Sequence, residues 1–210
     1  MKIRKDRTDQ ENFWAGSFGD KYIARNSDKN IVADNIVFFS RILSNIGDIK
    51  SVIEFGSSIG LNLVAIKAIF PSIKISAVEI NKIATDKLKK LGYVKVYNKS
   101  LFDFKVSKTF DLCLVKGVLI HQNPDFLNNA YDMLFKYSKK YILIAEYYNP
   151  TPVEVKYRGY YHKLFKRDFA GEMLEKYKGK IKLTDYGFTY RNDPHPQSDL
   201  TWFLLEKVGA

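Results

Sequence analysis

Two hydrophobic periods alternate along most of the chain. Val52, Ile53 and Phe55 form a short apolar run over Ser51–Phe55 that reads as a buried strand and breaks at Gly56. Leu61, Val64, Ile66 and Ile69 then recur at helical spacing until Pro71 stops the helix. The same switch repeats downstream. Strands are predicted over Lys74–Val78, Val94–Tyr97, Phe110–Val115 and Tyr141–Ala145, and helices over Asn81–Leu91 and from Asn123-Pro124 to about Phe135. Upstream, Val32, Ile36, Phe39, Leu43 and Ile46 give an amphipathic helix over Ile31–Ile46, with Asp28 as its N-cap and Gly47 beyond its end. Past the fifth strand the pattern loses its period: residues 151–170, rich in Tyr, Arg and Lys, read as an insertion over the crevice. A helix over Asp168–Tyr177 follows, then strands over Lys180–Tyr186 and Leu200–Glu206 joined by a loop without a helix. Alternating strands and helices with polar residues at the strand ends predict a parallel, doubly wound sheet, helices on both faces, one ligand crevice and a terminal antiparallel hairpin.

Length and composition narrow the class without deciding it. The 210 residues are read as a single domain, with residues 1–30 as a cap segment. That segment carries Phe13, Trp14, Phe18, Tyr22 and Ile23 at loosely helical spacing, interrupted by Gly16 and Gly19. It is expected to pack on the core or to fold over the crevice with Tyr22, Arg25 and Asn26 facing it. No secretory leader is expected, and no apolar stretch approaches the ~20 residues of a membrane span. A single cysteine, Cys113, excludes intrachain disulfides and fits a cytoplasmic setting. His121, His162 and His195 lie far apart without ligand spacing, so no metal site is expected. The net charge of +11 suits nucleic acid and acidic small molecules alike.

The candidate chemistry gathers around the first glycine turn. Glu54-Phe-Gly56-Ser57-Ser58-Ile-Gly60-Leu-Asn62 places a strand end, a tight turn and a helix N-terminus together, the elements of a nucleotide crevice. A dinucleotide fingerprint needs a third glycine that is missing here. An acid before the first glycine suits the ammonium of an amino acid better than a diphosphate. Glu79, at the end of the second strand, stands where a ribose-binding acid belongs, followed by Ile80. His121 and Glu146 each follow a strand at the crevice rim and are the candidate general bases. Arg158 and Arg167 are candidates to grip a carboxylate or phosphate.

The pattern E-x-G-x-x-x-G-x-N resembles the first motif of class I S-adenosyl-L-methionine-dependent methyltransferases. Over nearly the full length, the chain also resembles the methylases associated with pseudaminic acid biosynthesis. Phe13-Trp14, Phe18-Gly19-Asp20, Tyr22, Arg25-Asn26, Gly117-Val-Leu-Ile-His121, Glu146-Tyr-Tyr-Asn-Pro150, Arg158-Gly159, Lys166-Arg-Asp-Phe-Ala-Gly171 and Asp185-Tyr-Gly-Phe188 carry that likeness. The resemblance implies a Rossmann-like, seven-stranded, mostly parallel sheet and S-adenosyl-L-methionine as cofactor, with S-adenosyl-L-homocysteine as product. It places the cofactor among Tyr22, Arg25, Asn26, Glu54, Gly56, Ser57, Ser58, Gly60, Asn62, Glu79, Ile80, Ser100, Leu101, Lys116 and Gly117. It places a small acceptor, a sugar acid or activated sugar of bacterial surface glycans, near Trp14, His121, Tyr148, Asn149, Arg158 and Arg167. A tRNA or rRNA methyltransferase is the nearest rival. Those enzymes commonly carry an Asp/Asn-Pro-Pro-aromatic motif after strand four, where this chain has Lys116-Gly-Val-Leu. A non-catalytic cofactor-binding module is the alternative from another class.

Overall fold

A computed structural model describes residues 6–26, 30–44 and 46–209. The Asp28 N-cap expected from the sequence lies outside them. Helices α1 (Asp9–Ala15) and α2 (Ser17–Arg25) form the cap segment, and α3 (Asn30–Leu43) leads to the first strand. The chain then runs β1 (Ser51–Phe55), α4 (Leu61–Ile69), β2 (Lys74–Glu79), α5 (Lys82–Lys89), β3 (Val94–Asn98), β4 (Phe110–Lys116), α6 (Leu127–Tyr137) and β5 (Ser138–Glu146). Two short strands, β6 (Val153–Glu154) and β7 (Phe165–Lys166), precede α7 (Phe169–Lys176), β8 (Ile181–Thr189) and β9 (Leu200–Lys207).

Seven strands form one sheet in the order β3-β2-β1-β4-β5-β9-β8. The first five pair in parallel, and β9 enters antiparallel between β5 and β8. The seven-stranded sheet and its terminal hairpin match the sequence expectation. The reason is legible in β4: Phe110, Leu112, Cys113, Leu114 and Val115 are all buried, as a strand covered on both faces must be. Residues of one parity join α6 and α7 in one core, around Ile53, Phe55, Tyr131 and Ile144. The other parity, with Val52, Leu112 and Leu143, packs beneath Phe39 and Ile42 of α3 and Leu63 and Ile66 of α4.

Element boundaries depart from the sequence reading where polar caps outrank periodicity. Asn123 caps Asp125 N at 3.0 Å and begins a 3-10 turn over Pro124–Phe126, so α6 starts only at Leu127 and runs to Tyr137. The strand after it starts at Ser138, three residues before the expected Tyr141, and the long upstream helix stops at Leu43 instead of Ile46. Between β3 and β4 a 3-10 turn, Leu101–Asp103, takes the place of a crossover helix. The cap is two helices broken at Gly16, and Gly19 lets α2 turn back onto α1. A Cβ at Gly19 would lie 2.0 Å from the Trp14 carbonyl oxygen.

The insertion folds as a narrow ribbon. Strands β6 and β7 pair antiparallel, and Tyr157 and Tyr160 exchange backbone hydrogen bonds of 2.9 Å around Arg158-Gly159. Both central residues have positive φ, 48° and 90°, the geometry of a type I′ turn. The ribbon clasps the cap: Gln10 Nε2 donates to the His162 carbonyl at 2.9 Å, and Lys163 pairs with Asp9. Phe13 packs against Tyr160 (5.0 Å) and Phe18 against Tyr157 (5.8 Å).

Candidate active site

The carboxyl ends of the parallel strands open beneath cap and ribbon into a cavity of about 480 Å³. The β1–α4 turn forms its floor. Gly56 N donates to Val78 O at 2.8 Å, drawing the turn onto β2, with Gly56 at φ 75°. A Cβ there would sit 2.5 Å from Val118 Cγ2, so close approach and positive φ both require glycine. Gly60, also left-handed, starts α4.

Two buried acids, Glu54 and Glu79, lie around this floor, each differently held. Glu54 Oε1 accepts from Asn62 Nδ2 at 2.6 Å, whereas its Oε2 is buried without a partner. Burial pushes the Glu54 carboxyl up to about 7, against the pull of Asn62 and of Lys116. Glu79 accepts from Ser58 N and Asn81 N, both at 2.7 Å, which ties the turn to the start of α5; burial still raises its carboxyl. Lys116, at the end of β4, faces Glu54 and Glu146, and burial lowers its ammonium to about 8 despite them. Its Nζ stands 5.7 Å from the ring centre of Phe38 on α3.

His121 ends a 3-10 turn, Leu119–His121, after β4. Its Nδ1 lies 2.6 Å from the Lys163 carbonyl. A carbonyl only accepts, so Nδ1 carries the proton and Nε2 is left as the acceptor. Burial pulls this imidazole down to about 4, which keeps it neutral at ordinary pH. Trp14 (4.6 Å) and Tyr157 (4.8 Å) pack against its ring.

Of the residues singled out in the sequence, Trp14, Tyr22, Asn26, Gly56, Ser57, Ser58, Asn62, Glu79, Ile80, Ser100, Leu101, Lys116, Gly117, His121 and Arg158 line the cavity. Glu54 and Gly60 lie in the turn behind that wall. The structure does not bring the rest there. Glu146 accepts from Val118 N and Leu119 N at 2.9 Å and Ile120 N at 3.4 Å, so it holds the turn before His121 from below. Arg167 Nε donates to Glu172 at 2.6 Å. Asn149 Nδ2 donates to Thr151 O at 2.6 Å, Tyr148 is exposed beside Phe203, and the Arg25 guanidinium lies over the Phe18 ring.

Several wall residues carry little mark in the sequence. Asn35, only 1 % exposed, lines the cavity with neither its Oδ1 nor its Nδ2 partnered. Gln10 Oε1 and Trp14 Nε1, one turn apart on α1, are likewise buried and unpartnered on this wall. Gln197 and Ser198 reach it from the β8–β9 loop and Tyr147 from the end of β5. A polar residue on the apolar face of an amphipathic helix, as Asn35 is beside Phe38 and Phe39, was the one available signal. Among the described residues no group of His, Cys, Asp or Glu is arranged to hold a metal ion.

No protein-family model matches the chain, and no curated protein matches its sequence. Solved structures do match its fold. One is the plantazolicin methyltransferase BpumL with a pentazolic desmethylPZN analog and S-adenosylhomocysteine, at 14% identity and TM-score 0.66, covering 94% of each chain. A second is the Burkholderia thailandensis 1,6-didemethyltoxoflavin-N1-methyltransferase with 1,6-didemethyltoxoflavin and S-adenosylhomocysteine bound (14%, TM-score 0.68, 98% of this chain and 93% of that one). A third is the magnesium protoporphyrin IX methyltransferase ChlM of Synechocystis PCC 6803 with bound SAM (10%, TM-score 0.66, 97% and 99%). The fold is that of S-adenosylmethionine-dependent methyltransferases.

Proposed function

We propose that this protein transfers a methyl group from S-adenosyl-L-methionine to a small-molecule acceptor. The observation that carries this reading is the cavity on the glycine turn, lined by Ser57, Ser58, Asn62 and Glu79, with the buried Glu54 behind that wall and cap and ribbon above it. The fold neighbours, each a methyltransferase solved with that cofactor or its product, support it. The residues present fit such a cofactor. The orphan Glu54 Oε2 suits an ammonium, Glu79 retains lone pairs for ribose hydroxyls, and Ser100 and Leu101 border a space for adenine.

The cofactor supplies an electrophilic methyl on a sulfonium; the chain supplies alignment, dryness and a proton acceptor. Trp14, Tyr22 and Tyr157 offer aromatic faces to a cation. The clasp between cap and ribbon covers the site. His121 Nε2 is the acceptor for a hydroxyl proton, and its orientation is fixed by Lys163 O and, through the turn before it, by Glu146. The weak basicity of this imidazole requires the proton to move as the methyl does.

We place the acceptor among sugar acids or activated sugars of surface glycans, on the resemblance carried by the cap and tail motifs and on Arg158 at the wall. A cytoplasmic setting fits the one buried cysteine, and no described helix is long and apolar enough to cross a membrane. The test is incubation with S-adenosyl-L-methionine and separate panels of sugar acids, nucleotide sugars and tRNA, counting S-adenosylhomocysteine by mass spectrometry. Product formation with sugars alone supports the reading; formation with tRNA alone replaces the acceptor; formation with none of them argues for a binding module.

A further inference from the structure

Three tyrosines and an arginine from three segments of the chain line the cavity. Tyr22 comes from α2, Tyr147 from the end of β5, and Tyr157 and Arg158 from the ribbon turn. They are close enough that Tyr147, Tyr157 and Arg158 each act electrostatically on the Tyr22 phenol. Among the described residues no side-chain hydrogen bond or ion pair engages any of the three hydroxyls or the guanidinium. The set is built almost wholly of donors. A guanidinium has no acceptor atom, and a phenol at neutral pH meets an anion as a donor.

Two further features set this group apart from ordinary surface polarity. Arg158 occupies the first central position of the type I′ turn at φ 48°, a conformation favouring Asn or Gly, so the turn holds an arginine against its backbone preference. Lys166 Nζ lies 5.4 Å from the Tyr147 ring centre, adding positive charge beside that tyrosine. The carboxylate that acts on Tyr22, Glu79, is held in place by Ser58 N and Asn81 N.

We infer that Tyr22, Tyr147, Tyr157 and Arg158 form an oxyanion subsite that takes the carboxylate or phosphate of the methyl acceptor. This rests on the methyltransferase reading and deepens it, since it makes the acceptor an anion and moves its grip from Arg167 to the tyrosines. Burial pushes the Tyr22 phenol up to about 12, so its hydroxyl stays a donor across the working pH range. Phenol donors beside a guanidinium favour an anion over its neutral ester, so the ester of the same molecule loses the subsite.

The test titrates N-acetylneuraminate, its methyl ester and inorganic phosphate into S-adenosylhomocysteine-saturated protein, followed by amide chemical shifts. Arg158→Gln, Tyr147→Phe and Tyr157→Phe run beside the wild type, with the phenylalanine variants preserving volume. At least one anion is expected to bind, with the ester weaker than the acid wherever the acid binds. Arg158→Gln should weaken that anion about 10-fold and each phenylalanine variant about 3-fold. Absence of binding by both anions, equal binding of acid and ester, or unchanged affinity in Arg158→Gln overturns the inference. So does a loss of S-adenosylhomocysteine affinity in Arg158→Gln with 5′-methylthioadenosine unaffected, because the donors then serve the cofactor's own carboxylate. Wild-type protein that fails to bind S-adenosylhomocysteine at all would bring down the methyltransferase reading, and this inference with it.

Discussion

Asn62 Nδ2 donates to Glu54 Oε1 at 2.6 Å, fastening the first turn of α4 to the end of β1 and leaving Glu54 Oε2 buried with no partner. Half of that carboxylate is structural, and the proposed function assigns the other half to the cofactor's ammonium. Burial raises the folded-state value from 4.5 to about 7, so the folded protein holds a proton there that the unfolded chain has released. The stability contributed is complete below about 4.5 and is lost as pH rises through about 7. Glu54→Gln should therefore gain on wild type in urea unfolding as pH is raised from 5 to 8, by roughly 1–3 kcal/mol. The same variant should bind S-adenosylhomocysteine about 10-fold more weakly, since an amide replaces the charge facing the ammonium. A pH-independent stability difference would contradict the assignment.

Asn35 tests whether an unmet buried group serves a ligand. Asn35→Leu removes two unpartnered polar atoms at similar volume, so the free protein should be as stable as wild type or gain about 1 kcal/mol. The rise in melting temperature on adding S-adenosylhomocysteine and an acidic sugar should shrink in the variant. An undiminished rise together with lower free-protein stability would make Asn35 an ordinary core residue.

Gly56→Ala places a methyl 2.5 Å from Val118 Cγ2 at φ 75° and should cost on the order of 2 kcal/mol. Adding Val118→Ala relieves the clash and leaves the backbone strain. The double variant should therefore recover part of the loss in a mutant cycle read by urea unfolding.

The cap depends on a reciprocal N-terminal bond pair. Thr8 Oγ1 accepts from Glu11 N at 3.2 Å, and Glu11 Oε2 accepts from Thr8 N at 2.8 Å. Thr8→Ala should cost the first helix about 1 kcal/mol. Amide exchange should then quicken in residues 9–15 and, through Gln10 and His162, in the ribbon, while β4 and β5 stay protected.

Much of this architecture is written in local pattern. The strand over Ser51–Phe55 and the turn at Gly56 were legible because a buried parallel strand and a left-handed glycine each leave a local signature. The hairpin was legible because no helix-period segment separates Lys180–Tyr186 from Leu200–Glu206. Long-range pairing was not legible. An acid at a strand's carboxyl end looks the same whether it faces a ligand or, like Glu146, accepts from three amides of the next turn. Arg167 gave no sign of the Glu172 that occupies it. Asn35, Tyr147 and Gln197 reach one cavity from three distant segments, and no periodicity joins them.

The most direct measurement is calorimetric titration of the protein with S-adenosylhomocysteine, beside Glu79→Gln, which keeps the size of the side chain and removes its charge. The wild type should bind in the micromolar range, weakened about 10-fold in the variant, or ~1.4 kcal/mol, as charge-assisted bonds to two ribose hydroxyls require. Absence of binding by the wild type, or equal affinity in the two proteins, would contradict this: the first would leave the glycine turn structural, and the second would move the ribose away from Glu79.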